Sequence, residues 1–381
     1  MIFLDHAATT PVRREALEAM WPYLTGAFGN PSSRHGLGDE AARALAAARL
    51  AVAGVVGARP GDVVFTSGGT EADNLAVKGL ALASPRGRHV VVSPIEHEAV
   101  LESAAYLARH HGFEVSEVAV DAAGLVAPEA LAAVLRPDTT LVSVQLANNE
   151  IGTVQPIAEL SALAHAHGAL MHSDAVQAAG WLPLSLDALG VDALSLAGHK
   201  VGAPKGTGAL VVRGRLPLEA VLHGGGQERG RRSGTENVAG AVAFATALRL
   251  AEAERAAAAA RVGALGARLA ARVLAEVPES RLTGDVTRRL PGTVSFVFPG
   301  TAGEAVLLEL ERDGVVCSSG SACAAGSDEP SHVLTAIGVP GELAQTAVRF
   351  TLGSSTTAPE IEDAATAVVR AVSAVRGIVT P

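Results

Sequence analysis

The amino-acid sequence predicts an α/β protein with a mostly parallel central sheet and a second, smaller α+β domain. Short apolar runs rich in β-branched residues alternate with longer alanine-rich helical patterns, which is typical of a parallel sheet covered by helices on both faces. This alternation ends at about residue 251. The 381 residues also exceed the length at which a single hydrophobic core stops growing. We expect a large domain over residues 16–251 and a small domain made of residues 1–15 and 252–381.

The predicted strands of the large domain are short and almost wholly apolar, as expected for strands buried on both faces. They cover residues 63–65, 89–92, 141–146, 170–172, 193–196 and 209–212, and helical patterns between them cover residues 71–83, 99–111, 128–135 and 157–167. Ligands of such sheets bind beyond the carboxyl ends of the strands. Functional residues should therefore follow the predicted strands directly.

The C-terminal part has a different order of elements. A long helix rich in alanine and arginine runs toward Glu276, and a strand over residues 293–297 and a helix over residues 304–313 follow. A loop of glycine and serine then contains Cys323. We expect the small domain to carry this loop and Arg349.

Composition and charge exclude several classes of protein. The formal net charge is −9 and there is no basic face, so direct binding to nucleic acid is not expected. No uncharged apolar stretch of about 18 residues is present, which argues against a membrane span. The N-terminus does not have the pattern of a signal peptide. With only two cysteines, Cys317 and Cys323, the chain is expected in a reducing cytoplasm.

Two groups of polar residues follow predicted strands and suit a phosphorylated ring. Ser67 to Glu71 contain two glycines and open a helix, so their backbone N–H groups could bind a phosphate, with Gly69 and Thr70 nearest to it. The ordinary alternative is a turn capped by Thr70. Asp174 ends another strand and could pair with a protonated ring nitrogen, with Gln177 reaching the same place. Its ordinary alternative is a helix cap.

Three further positions have the same relation to the sheet. Lys200 follows a strand, next to His199, and a lysine in a cleft can form a Schiff base with a carbonyl compound. A solvated loop lysine is the alternative. His97 could stack on a ring or move protons, and Asn149 could bind a ring hydroxyl; a capped turn is the alternative for both.

The combination is more informative than any one of these residues. A phosphate site, a ring-stacking imidazole, a hydroxyl partner, a pyridinium partner and a Schiff-base lysine all fall at one edge of the predicted sheet. That set is what a pyridoxal 5′-phosphate (PLP) site requires. No metal site is expected, because the spacing of His165, His167 and His172 does not place them on one helix face.

A series of motifs along nearly the whole chain resembles the cysteine desulfurases, a group of the class V aminotransferases with the fold-type I architecture of PLP enzymes. The motifs are, in chain order, FLDHAATTP, GNPSS, SGGTEADNLA, EHEAV, NNEIGTVQP, HSDAVQ, GHKVGAPKG, HGGGQERGRRSGTEN, SSGSACAAG and VRFTLG. The loop before Cys323 resembles the long cysteine loop of one desulfurase group.

The resemblance implies a role for each matching residue. Lys200 would bind PLP covalently and Asp174 would pair with the ring nitrogen, while His97 would stack on the ring. The other implied contacts are Gln177 and Asn149 at the ring oxygen, Thr70 and His199 at the phosphate, Thr235 at the phosphate of the other subunit of a homodimer, and Arg349 with Asn30 at the substrate carboxylate. Cys323 would receive the sulfur of L-cysteine as a persulfide and pass it to an acceptor protein.

Some alternatives remain open from the sequence. Selenocysteine cleavage or another PLP-dependent carbon–sulfur lyase would use much of the same site, whereas a catalytically silent sulfur-trafficking scaffold would not need Lys200 and Cys323. The acceptor could be an iron–sulfur scaffold, a tRNA-thiolating enzyme or a DNA-sulfur-modifying system. One departure from the family stands at Ala197, where many members have a serine whose hydroxyl meets the cofactor phosphate.

Overall fold

The computed structural model describes residues 1–83, 85–320 and 329–377. Cys323 and the residues around it from 321 to 328 lie outside these ranges. The strands are β1 (Ile2–Phe3), β2 (Val63–Thr66), β3 (His89–Val92), β4 (Glu114–Glu117), β5 (Thr139–Ser143), β6 (Leu170–Asp174), β7 (Ala193–Ala197), β8 (Gly208–Val212), β9 (Arg281–Leu282), β10 (Thr293–Val297), β11 (Val315–Val316) and β12 (Ala347–Thr351).

The helices connect these strands in the alternating order that the sequence predicts for the large domain. They are α1 (Arg14–Thr25), α2 (Gly36–Val56), α3 (Gly69–Ala83), α4 (Glu98–His111), α5 (Pro128–Val134), α6 (Ile157–Ala166), α7 (Leu186–Leu189), α8 (Val238–Glu276), α9 (Gly303–Arg312), α10 (His332–Ala336), α11 (Gly341–Ala344) and α12 (Ala358–Val375). No helix in the described ranges is long and apolar enough to cross a lipid bilayer.

The central sheet has seven strands in the order β2-β8-β7-β6-β5-β3-β4. All neighbouring pairs are parallel except those of β8, which runs antiparallel to both β2 and β7. The α/β class and the mostly parallel sheet are therefore confirmed. Strand β4 was not predicted, because its sequence Glu-Val-Ser-Glu has no apolar run and it lies at the edge of the sheet.

Alternate residues of the central strands enter hydrophobic cores on opposite faces. Val91 and Val142 pack into one core, while their neighbours Val90 and Leu141 pack into the other. Helices cover both faces, so most positions of these strands hold apolar side chains, and the few polar ones, such as His172, are buried. This explains why the strands appear in the sequence as continuous apolar runs.

A second hydrophobic core is built by the C-terminal elements. Strands β9, β10 and β12 form an antiparallel sheet, and α9, α12 and the C-terminal half of α8 pack around it. The N-terminal residue Leu4 enters this core, and β1 pairs with β11 in parallel. The domain boundary at residue 251 stays a prediction, and the continuous helix α8 runs across it.

The N-terminal segment after β1 crosses from this second core to the edge of the central sheet. Asp5 forms a β-bridge with Thr351 of β12, and the backbone N–H of Thr10 donates to the carbonyl of His199 just beyond β7. The segment between these two points therefore passes over the carboxyl ends of the central strands, where ligands are expected.

Candidate active site

A cavity of about 420 Å³ lies between the carboxyl edge of the central sheet and the N-terminal segment. This volume is within the range of small-molecule sites. Nine of the predicted site residues line it, and they are Gly69, Thr70, His97, Asn149, Asp174, Gln177, His199, Lys200 and Arg349. Most of them are brought together because consecutive parallel strands end at the same edge of the sheet.

Asp174 is the last residue of β6 and is almost fully buried. Its Oδ1 accepts a hydrogen bond of 2.8 Å from the backbone N–H of Val176. Burial raises the pKa of Asp174, while the N–H bond and the positive charges of His97 and Lys200 oppose that shift. A buried carboxylate with one such bond is well suited to a cationic ligand, because a positive charge would offset the cost of its burial.

Lys200 ends a short 3₁₀ turn that directly follows β7. Its amino group donates to the backbone carbonyls of Ala7 and Ala8, and the Gln177 side chain also donates to Ala7 at 3.1 Å. The N-terminal segment thus orients the lysine toward the cavity. The FLDHAATTP motif contributes through its backbone here, a role that side-chain chemistry alone does not reveal.

His199 lies beside Lys200 and half-buried in the cavity wall. Its Nδ1 is 3.2 Å from the hydroxyl of Thr9. Burial, together with the charges of Lys200 and Lys205, lowers the pKa of His199 to about 4. The ring is therefore neutral near pH 7, with one N–H to donate.

The first turn of α3 forms one end of the cavity. Gly69 opens the helix, and a Cβ added there would lie 2.8 Å from the Val176 side chain, so the close packing requires glycine. The Glu71 side chain accepts from the backbone N–H of Ser67 and from Arg232, each at 2.8 Å, which holds the turn in place. The arginine-rich segment is thus attached to the predicted phosphate site of its own chain.

His97 and Asn149 lie on the loops after β3 and β5. His97 caps α4, because its Nδ1 accepts a 3.0 Å hydrogen bond from the backbone N–H of Ala99. That bond fixes the imidazole at the cavity wall. Asn149 offers its backbone carbonyl to Arg349 at 2.9 Å, and its side chain belongs to the cavity lining.

Arg349 of β12 is only 1% exposed, which is rare for an arginine. Its Nη2 forms an ion pair of 2.8 Å with Asp5, and its Nη1 donates to the carbonyls of Asn149 and Gly320. The sequence reasoning did not identify Asp5 as part of the site. Its place inside the FLDHAATTP motif is the signal that could have found it.

The remaining predicted residues are elsewhere. Asn30 lies in an exposed turn, where its side chain accepts from the backbone N–H of Ser32 at 2.9 Å. Thr235 is exposed and lines a separate cavity next to Arg232. Neither lines the large cavity of a single chain, and Cys323 lies outside the described residues. Their roles stay predictions.

Comparison with known proteins decides the family. Residues 2–363 match the family model described as Aminotransferase class-V. The chain is also 45% identical to "Cysteine desulfurase IscS" of Dictyoglomus turgidum, covering 94% of this chain and 91% of the relative. The chain belongs to the class V aminotransferases, and within them to the cysteine desulfurases. A second such relative is the "IscS-like cysteine desulfurase" of Mycobacterium tuberculosis, 46% identical over 96% of this chain and 94% of the relative.

Solved structures of cysteine desulfurases and related proteins have the same fold as this chain. A NifS-like protein superimposes with a TM-score of 0.90 at 36% identity, covering 97% of this chain and 98% of the other. DndA from Streptomyces lividans gives a TM-score of 0.76 at 38% identity, with 91% and 98% covered. A structure titled "SspA in complex with cysteine" gives 0.80 at 34% identity, with 94% and 100% covered.

Cysteine desulfurases are PLP-dependent, and the cavity of this member fits that cofactor. The buried carboxylate of Asp174 suits a pyridinium nitrogen, and the glycine-containing first turn of α3 leaves backbone N–H groups for a phosphate. Lys200 lies in the same cavity, as a covalent bond to the cofactor requires. This chain is therefore a PLP enzyme.

Proposed function

We propose that this cysteine desulfurase removes sulfur from L-cysteine as a persulfide on Cys323, releases L-alanine, and passes the sulfur to an acceptor protein. The observation that supports this proposal most directly is the presence of Lys200, Asp174 and Arg349 in one cavity. A base, an anionic ring partner and a carboxylate-binding group are the protein groups that such a reaction needs.

The cofactor would be held by residues at both ends of the cavity. Lys200 would bind it covalently, Asp174 would pair with its ring nitrogen, and His97 would lie against the ring. The implied partners of its oxygen atoms are Gln177, Asn149, Gly69, Thr70 and His199, with Thr235 of a second subunit. When bound, PLP supplies an electron sink for the carbanion that forms at the substrate Cα.

The protein groups would each perform one task in the reaction. Arg349 binds the carboxylate of L-cysteine, for which its planar guanidinium is suited. The free amine of Lys200 would take the Cα proton of L-cysteine through Nζ. The Cys323 thiolate would attack the substrate sulfur, so that an S–S bond forms as the substrate Cβ–S bond breaks. Cβ would gain a proton, Lys200 would return the proton to Cα, and alanine would leave.

The acceptor and the assembly belong to the same proposal. An iron–sulfur scaffold, a tRNA-thiolating enzyme and a DNA-sulfur-modifying system all use sulfur in the persulfide state. A homodimer would allow Thr235, which is exposed on a single chain, to reach the phosphate site of the second subunit. The reducing cytoplasm would keep Cys323 available as a thiol.

The two cysteines provide the test. Burial, reinforced by the charge of Asp5, raises the pKa of the Cys317 thiol well above its ordinary value, so it remains protonated and a poor nucleophile. We expect Cys323→Ser to bind L-cysteine and change the cofactor absorption but to release no sulfide above background. Cys317→Ser should retain most of the activity. Sulfide release measured with L-cysteine and a reductant checks both, and a reversed result would remove Cys323 from the mechanism.

A further inference from the structure

A second buried aspartate, Asp73, lies in the same cavity as Asp174 and has no role in the mechanism above. It is on α3, one turn after Thr70, and only 1% of its surface is exposed. Its Oδ1 has no hydrogen-bond partner within the described part of the chain. A buried acid inside a helix, directed at a cofactor site, requires a physical explanation.

Asp73 stands at the end of a buried chain of polar side chains that crosses three strands. The Ser143 hydroxyl is 2.8 Å from Nδ1 of His172, and Nε2 of His172 is 2.9 Å from the Ser195 hydroxyl. Asp73 lies against this group, because its Oδ1 is 3.8 Å from Nε2 of His172. Desolvation lowers the pKa of His172 to about 3, so its ring is neutral and contributes a single N–H.

The single N–H of the neutral His172 ring can point either to Ser143 or to Ser195, on the side of Asp73. This pair of hydrogen bonds is therefore compatible with either protonation state of Asp73. Burial and the charges around Asp73 decide between the two states.

Those charges favour a proton on Asp73. Burial raises the pKa of Asp73 well above its ordinary value, and the negative charges of Asp174 and Glu96 raise it further. Glu96 is itself buried, with a pKa raised to about 8, so it is largely protonated near pH 7 and Asp174 is the main negative neighbour. Asp174 differs, because the N–H of Val176 and the positive charges of His97 and Lys200 support its ionised form.

We propose that Asp73 is a positioning residue whose protonated carboxyl group, packed against His172, leaves Asp174 as the anionic partner of the cofactor ring. The proposal rests on the proposed function insofar as it concerns PLP. Its geometric basis is the cavity that Asp73 shares with Asp174 and the burial of its unpartnered Oδ1 beside the neutral His172 ring. An ionised Asp73 would place two like charges at one end of the site, which is unfavourable in a buried environment.

The protonation of Asp73 is measured on the protein without PLP, through thermal unfolding of wild type and Asp73→Asn between pH 5 and pH 8. A raised pKa means that the folded protein keeps a proton that the unfolded chain has lost above pH ~4. Wild type should therefore lose stability relative to Asp73→Asn as the pH rises, until the pH passes the folded pKa. Within that window the ratio of the two unfolding constants should change by up to about tenfold per pH unit.

Asp39→Asn, on the exposed surface of α2, is the matched control and should show a ratio that is constant with pH. A ratio for Asp73→Asn that is equally constant, or that changes in the opposite direction, would overturn the proposal. This measurement does not involve PLP. A wild-type protein that failed to bind PLP would contradict the proposed function. The unfolding result would still test whether Asp73 is protonated.

The positioning role is measured with PLP. The asparagine amide is neutral and has nearly the shape of a protonated carboxyl group, so Asp73→Asn should retain PLP within about twofold of wild type and keep the same pH dependence of the cofactor absorption. Asp73→Ala leaves a gap beside His172 in the cavity wall and should bind PLP roughly tenfold more weakly. If Asp73→Asn lost PLP as severely as Asp73→Ala, the charge of Asp73 would be the functional feature and the proposal would be wrong.

Discussion

Arg349 holds a full positive charge in a position that is nearly closed to solvent. The structure compensates this charge with the carboxylate of Asp5 and with two backbone carbonyls. An isolated buried charge would be strongly unfavourable, so these partners are what allow an arginine at this position. They also fix the direction of the guanidinium in the cavity before any substrate arrives, which reduces the cost of ordering it on binding.

The first prediction at this scale concerns the shape of that guanidinium. Arg349→Lys should weaken L-cysteine binding by roughly ten- to a hundredfold while PLP stays bound, because an ammonium group cannot form two parallel hydrogen bonds to a carboxylate. The apparent affinity is measured from cofactor absorption changes during cysteine titration. Arg289→Lys is a matched control, since Arg289 is half-buried and also donates to backbone carbonyls but does not line the cavity. Equal cysteine affinity in wild type and Arg349→Lys would remove Arg349 from the substrate site.

Ala197 lines the cavity at a position where many family members have a serine hydroxyl. Ser195 cannot replace that hydroxyl, because it is fully buried and bonded to His172. Ala197→Ser should therefore slow PLP loss by about tenfold, the equivalent of one hydrogen bond to a charged group, and leave the chemical steps nearly unchanged. Dialysis of both proteins in the same buffer gives the two dissociation rates. Equal rates would show that Ala197 leaves no gap at the phosphate.

At the scale of elements, the site depends on where strands end and helices begin. Asp174 is the final residue of β6, and Lys200 is in the turn after β7, one strand away. Strand pairing fixes their separation, so neither side chain relies on a long loop for its position. Helix α3 contributes at its beginning with Gly69 and one turn later with Asp73. One helix therefore provides both a phosphate-binding end and a buried acid.

The close packing of α3 against the loop after β6 should be important for PLP binding. Gly69→Ala should weaken PLP binding by tenfold or more, because the new methyl group would lie 2.8 Å from the stiff side chain of Val176, two residues from Asp174. Gly54→Ala in α2 is the control, since nothing lies within 4 Å of the added methyl and alanine favours a helix. Equilibrium PLP titration of both variants measures the effect. If Gly69→Ala bound PLP as wild type does, the close approach would have no functional importance.

Across the whole molecule, the sequence predicted the structure correctly wherever a local pattern of residues determines it. The apolar runs predicted the parallel strands, and the position of Lys200, Asp174 and His97 after those runs predicted that they would meet. The predictions failed where contacts between distant parts of the chain determine the structure. β4 has no apolar run, and α8 begins at Val238, well before the arginine-rich pattern that suggested it. Asp5 and Asp73 were missed because their importance arises from neighbours distant in the chain, such as Arg349 and His172.

The N-terminal segment also makes contacts that the local sequence pattern does not predict. It pairs with the second core through β1, bonds Arg349 through Asp5, and supplies the carbonyls that hold Lys200. A segment of about a dozen residues thus connects the two hydrophobic cores with the predicted catalytic lysine. Sequence pattern predicts none of these three contacts, since each depends on how distant parts of the chain come together.

The most direct test of PLP-dependent desulfuration compares wild type with Lys200→Ala, each purified and supplied with PLP, L-cysteine and a reductant. Wild type should show the absorption of the covalently bound cofactor and release sulfide and alanine in equal amounts. Lys200→Ala should lose both the absorption and the turnover, because the covalent bond and the base for the Cα proton are the same amine. Native-rate turnover by Lys200→Ala, or wild-type sulfide release without an equal amount of alanine, would contradict the account.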